Sequence, residues 1–89
     1  MNEPYLEVTY RHGLPLAAYL YLPRRPGDRS SRTEQLAPGL VVDFHRDGRP
    51  IGIEITAPDR VSLAAVNRVL RGLGLPAAKK ADLSPLLAA

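Results

Sequence analysis

Four residues near the middle of the chain, Asp43, His45, Asp47 and Glu54, carry the most suggestive side-chain chemistry. With Gly48 they follow the spacing of a helix–loop–helix calcium site, Asp43-x-His45-x-Asp47-Gly48-x5-Glu54. That spacing works when the loop curls so that oxygens from alternate residues converge on one ion. The surroundings here argue against it. Val41-Val42 and Ile53-Glu54-Ile55 are strand-like where helices must flank the loop, and histidine is a poor ligand for a hard cation. Read as paired strands, the same residues make a different constellation. Asp43 and His45 share a polar face, Glu54 lies diagonal to Asp43, and Gly52 opposite Asp43 leaves space beside it. A histidine with two carboxylates can bind a divalent metal or exchange protons, so Asp43, His45 and Glu54 are the candidate metal residues. The plainer reading of this face is a solvated surface that keeps the sheet soluble.

A second candidate is basic. Residues 24–32 hold Arg24, Arg25, Arg29 and Arg32 against Asp28, which accounts for the whole net charge of +3. Such a loop can meet nucleic-acid phosphates or an acidic partner, although most charged loops are simply solvated. Tyr19 and Tyr21 share one strand face and could stack on bases or pack at a subunit interface. Pro23-Arg24-Arg25-Pro26 satisfies P-x-x-P, but so short a match in a loop carries little weight. His12, beside Gly13, reads as a surface turn residue. There is no G-x-S-x-G elbow, no phosphate-binding glycine loop and no cysteine. The expectation is no catalytic residue, no cofactor and no enzymatic activity.

The element that must position these groups is a hairpin from Leu40 to Ile55. Asp47-Gly48 suits a two-residue type I′ turn, whose central residues both need positive φ. That turn pairs Phe44 with Ile51, Val42 with Ile53 and Leu40 with Ile55, placing all six on one apolar face. Pro50 then pairs with His45 at a site where its missing N–H costs nothing, and its outer side reads as a free sheet edge. Upstream, Leu6, Val8 and Tyr10 alternate with polar residues, and Ala18, Leu20 and Leu22 repeat the pattern after a Gly13–Pro15 break. These two runs form a first hairpin. Pro23 to Ser31 reads as a mobile loop, and Thr33 to Leu36 as a short strand of weak alternation.

After Pro58 the period becomes helical. Leu63, Val66, Val69, Leu70 and Leu73 line one face, Ser62 or Asp59 caps the start, and Gly74 stops the helix. The expected fold is α+β: an antiparallel sheet of four to five short strands (5–56, two β-hairpins), one amphipathic helix (62–73) packed on one face, and a short helical C-terminal tail (74–89). Leu83, Leu86 and Leu87 in that tail either fold back on the sheet or bury against a second subunit. With Tyr19 and Tyr21 they are the candidate interface residues.

The stretch Gly39-Leu-Val-Val-Asp43-Phe-His-Arg-Asp47-Gly48-Arg-Pro-Ile-Gly52-Ile-Glu54-Ile55 resembles the signature of the domain-of-unknown-function family DUF 2283. The shared pattern is an apolar strand ending in Asp, a D-G turn, and a Gly-apolar-Glu-apolar return strand. Tyr10 and Ala18-Tyr-Leu-Tyr-Leu22 look like the family's opening hairpin, and Thr33-Glu34 fall where a Thr/Glu pair is common. The resemblance spans about residues 5–57. His45 and Pro50 depart from it, standing where members often have Asp and an aliphatic residue. The resemblance implies a small bacterial α+β domain and brings no activity or catalytic residues.

Bulk properties set the remaining bounds. At 89 residues the chain holds one domain, 1–89, whose core is thin. Absent cysteines, the lack of a signal-peptide pattern and the lack of a long apolar run point to a cytoplasmic protein with no membrane span. The expected function is a small non-enzymatic interaction or accessory module, antitoxin-like in one version and a homodimer. Nucleic-acid binding through the arginine loop is the first alternative, and a divalent metal on the hairpin the second.

Overall fold

The computed structural model describes residues 5–87, apart from the side chain of Leu87. Five strands form one antiparallel sheet: β1 (Tyr5–Arg11), β2 (Leu14–Tyr21), β3 (Arg32–Ala37), β4 (Leu40–Phe44) and β5 (Pro50–Ile55). Their order is β1-β2-β5-β4-β3. Two helices follow, α1 (Leu63–Gly72) and α2 (Ser84–Leu87), each preceded by a 3₁₀ segment.

Alternation divides the sheet into two faces. One cross-strand row, Leu6–Leu20–Ile53–Val42, is apolar, and so is the next, Val8–Ala18–Ile55–Leu40. Leu20, Ile53, Val42, Leu40 and Ile55 are fully buried in a cluster that also contains Val66, Val69 and Leu70 of α1. The opposite face carries the rows Tyr5–Tyr21–Gly52–Asp43–Thr33 and Glu7–Tyr19–Glu54–Val41–Gln35.

Ser62 caps α1 by accepting a hydrogen bond from the Ala65 N–H at 3.1 Å. At the other end the Leu75 N–H reaches the Leu70 carbonyl at 2.9 Å and the Gly74 N–H reaches Arg71 at 3.0 Å, the paired bonds of a Schellman stop. Asn67 then grips the tail, accepting from the Ala78 N–H at 2.7 Å and donating to its carbonyl at 3.2 Å. The clasp brings Leu83 and Leu86 into the core, 1% and 9% exposed. They are intramolecular core residues, which removes them as interface candidates. The side chain of Leu87 lies outside the described residues.

The second hairpin departs from the expected register at its turn end. Leu40–Ile55, Val42–Ile53 and Asp43–Gly52 pair as the face pattern demands, but Phe44 faces Pro50 because Ile51 is an extra, bulged residue. The His45 N–H donates to Arg49 and the Gly48 N–H to His45, so the loop has three residues. Among Arg46, Asp47 and Gly48, Gly48 alone has positive φ, at 93°. This is the type I turn with a bulge glycine rather than I′, and D-G suits both. A two-residue turn with both φ values positive occurs instead in the first hairpin, at His12 (53°) and Gly13 (77°). There Leu16 is an extra residue of β2 opposite the Thr9–Tyr10 step, and Tyr10 is 53% exposed.

Pro50 does not mark an edge. β5 is the middle strand, paired with β2 on its outer side from Gly52 to Ile55. Pro50 sits at its first residue, beyond the last of those pairs, where no N–H is required. The edges are β1 and β3.

Candidate functional site

The polar face is organised around Tyr19. Its phenol crosses from β2 over Gly52 of β5 and donates to Asp43 Oδ2 of β4 at 2.7 Å. Gly52 is the condition for that crossing, since a Cβ there would overlap the Tyr19 hydroxyl and ring. Asp43 is 7% exposed and is the one buried charged residue among the described residues. Its other oxygen, Oδ1, is buried without a hydrogen-bond partner, an arrangement that native structures rarely tolerate without a reason.

Glu54 stands beside this pair. Burial first, and then the neighbouring Asp43 carboxyl, raise its pKa above the ordinary glutamate value. The Tyr19 phenol is pushed up as well, by burial first and then by the hydrogen bond to Asp43. Arg24 covers the same spot from the loop. Its Nη2 donates to the Ile51 carbonyl at 2.6 Å and reaches the Tyr19 hydroxyl at 3.4 Å. The Arg24 guanidinium carbon lies 5.1 Å from the centre of the Tyr21 ring, which stacks on Tyr5 at 5.0 Å and meets Tyr19 edge-on at 4.7 Å.

Of the three candidate metal residues, Asp43 and Glu54 are brought together and His45 is not. The bulge and three-residue turn send His45 toward the loop, with Nδ1 3.2 Å from the Arg29 carbonyl and 3.9 Å from Asp28 Oδ1. The described residues contain no group of three His, Cys, Asp or Glu side chains placed to hold a metal ion. Tyr19, read from sequence as an interface residue, is the member of the site that sequence reasoning placed elsewhere. Its role depends on the β2–β5 pairing, which no local pattern reveals.

The arginines do not form one patch. Arg24 lies on the tyrosines, and Arg32 lies 4.1 Å from the Phe44 ring centre and pairs with Glu34 at 3.1 Å. Arg25 and Arg29 remain exposed. The loop itself is tied down rather than mobile. Asp28 accepts two hydrogen bonds from Arg49, both at 2.9 Å, and a third from the Arg25 N–H, also at 2.9 Å. Arg49 in turn reaches Asp47 at 2.7 Å. These donors hold the Asp28 carboxyl far below the usual carboxylate range, with the Arg49 side chain the largest cause.

No helix among the described residues is long and apolar enough to cross a membrane. No curated protein and no solved structure matches the chain. The model of DUF2283, a protein family of unknown function, matches residues 17–57, from β2 to just past β5. The residues that carry the resemblance in sequence, Asp43, Gly52 and Glu54, are those that meet beneath Tyr19. The family model thus matches the part of the chain from β2 to just past β5, within the stretch whose residues resemble DUF2283 in sequence.

Proposed function

We propose that this protein is a small, non-enzymatic interaction module that associates with a second copy through the first hairpin. One observation carries the reading. Of the five large apolar side chains left exposed among the described residues, four lie on β1 and β2: Tyr5 (50%), Tyr10 (53%), Leu14 (65%) and Leu16 (51%). They flank β1, an edge strand whose outer backbone groups are available for pairing. Edge-to-edge pairing of β1 with its copy is self-complementary, which suits a two-fold dimer. In this reading α1 serves to cover the core face of the sheet and leaves the edge and the polar face for contacts.

Light scattering at tens of micromolar tests it. The expected result is a dimer that dissociates when Leu14 and Leu16 are both replaced by serine. A monomer at that concentration, or a dimer indifferent to the double substitution, overturns the reading.

A further inference from the structure

We propose that the 22–31 loop and the 46–48 turn together form one phosphate-binding surface, built on Arg25, Arg29 and Arg46, that takes the backbone of a nucleic acid. The inference goes beyond the dimer reading and is independent of it, since none of the three arginines lies on β1 or β2.

Arg46 is remote from the other two in sequence, and the loop-to-turn tie brings it to the same end of the sheet. Asp28 takes two hydrogen bonds from Arg49, just after the turn, and one from the Arg25 N–H of the loop. The next loop residue, Arg29, has its carbonyl 3.2 Å from His45 Nδ1, and Arg46 directly follows His45. The Ser31 N–H donates to the Phe44 carbonyl at 2.7 Å, which fastens the loop a second time. Both acids of this end are committed to Arg49, Asp28 as above and Asp47 through Nε at 2.7 Å and the backbone N–H at 3.0 Å. Arg25, Arg29 and Arg46 are exposed, and among the described residues no carboxylate pairs with their guanidinium groups. Residues 24–32 and 45–49 hold six arginines against two aspartates, a surplus of four positive charges that exceeds the +3 of the whole chain.

The character of the surface selects the polyanion. A protein partner needs an apolar centre to cover, and a membrane needs apolar side chains to receive. The large apolar side chains exposed among the described residues, Tyr5, Tyr10, Leu14, Leu16 and Leu36, all lie outside these two segments. Nucleic-acid interfaces are instead polar and strongly positive, and the guanidinium fork matches phosphate oxygens in pairs. Contacts to phosphate alone carry no sequence information, so the binding is indifferent to sequence.

The test is fluorescence anisotropy with labelled single-stranded RNA and duplex DNA. The expected affinity falls roughly 20–40-fold between about 50 and about 200 mM salt, the loss that three phosphate contacts imply. Arg29→Gln and Arg46→Gln should each lower the salt exponent by about one, and the triple variant with Arg25→Gln should bind neither polymer. Replacing Arg68 and Arg71, two exposed arginines of α1, by glutamine should leave the exponent unchanged. All these variants should melt with the unsubstituted protein, because none of the replaced guanidinium groups takes part in the tie. Absence of binding at low salt, an Arg46→Gln exponent equal to that of the unsubstituted protein, or an equal fall in the α1 variant overturns the proposal. Tighter binding to poly-glutamate or to phosphatidylglycerol vesicles also overturns it, by assigning the surface to an acidic protein or a membrane. Light scattering on the same samples reports the dimer separately, so failure at the edge and failure at this surface are told apart.

Discussion

Asp28 and Asp43 are both carboxylates withdrawn from solvent, yet their surroundings treat them in opposite ways. The Asp28 side chain is 6% exposed and accepts three hydrogen bonds, two from the Arg49 guanidinium and one from backbone. Asp43 is 7% exposed, accepts one from a neutral phenol, keeps an oxygen without a donor and has a second acid next to it. The first arrangement is complete within the chain: it ties the 22–31 loop to the hairpin turn and leaves nothing over. The second is incomplete, and incompleteness at a buried charge is where a ligand has something to contribute. The basic loop that attracts attention in the sequence is tied to the hairpin turn through Asp28, whereas the polar face keeps an acid whose hydrogen bonds are incomplete.

The strongest way to break this contrast is Gly52→Ala. The new Cβ occupies the space of the Tyr19 phenol, so Tyr19 must leave and Asp43 loses its one side-chain donor. Overpacking and an unpaired buried carboxylate together should cost about 3 kcal/mol in urea unfolding. An equivalent Ala at exposed Gly72, with nothing within 4 Å, should be close to neutral. Tyr19→Phe removes only the hydrogen bond and should cost about 1–2 kcal/mol. The cost should shrink when Asp43→Asn is also present, since the two side chains share one interaction.

The smallest effects are those of pH, and they have opposite signs. Asp28 has a lowered folded-state pKa, so its contribution is complete above the ordinary aspartate range and is lost as pH falls through and below it. Glu54 has a raised folded-state pKa. Its ionisation opposes folding, so stability declines as pH rises from the ordinary glutamate value through the raised one. Melting temperature against pH should have a shallower acid limb in Asp28→Asn, where Asp47 still contributes, and a smaller decline above the glutamate range in Glu54→Gln. If both variants alter the same limb, the two clusters are not distinct.

Much of the fold is legible in the sequence because the apolar face repeats every second residue. Leu40, Val42, Ile53 and Ile55 can share a face in one register only, and the structure keeps it. The inserted Ile51 escapes notice because it is itself apolar and buried, and D-G signals both turn types. From that one insertion follows the displacement of His45 from the metal triad, whereas Pro50 suggests an edge because β2 pairs with β5 only from Gly52 onward. Strand β3 is faint in sequence because it is an exposed edge whose residues need no alternation. The Tyr19–Asp43 contact bridges residues 24 positions apart. It exists only because β2 inserts beside β5, a fact of topology rather than of local pattern.

That insertion also bears on how the chain reaches its native state. β1–β2 is one local hairpin and β3–β4–β5 a local meander, each able to form from short-range contacts. The seam from Ala18–Ile55 to Tyr21–Gly52 joins them across distant parts of the chain. Closing it requires two preformed pieces to collide in one register, the slow kind of step in a sheet protein. Because closure entropy rises only with the logarithm of length, residues added to the intervening loop should slow this docking little. Substitutions along the seam should slow it much more, and Tyr19 lies in its middle.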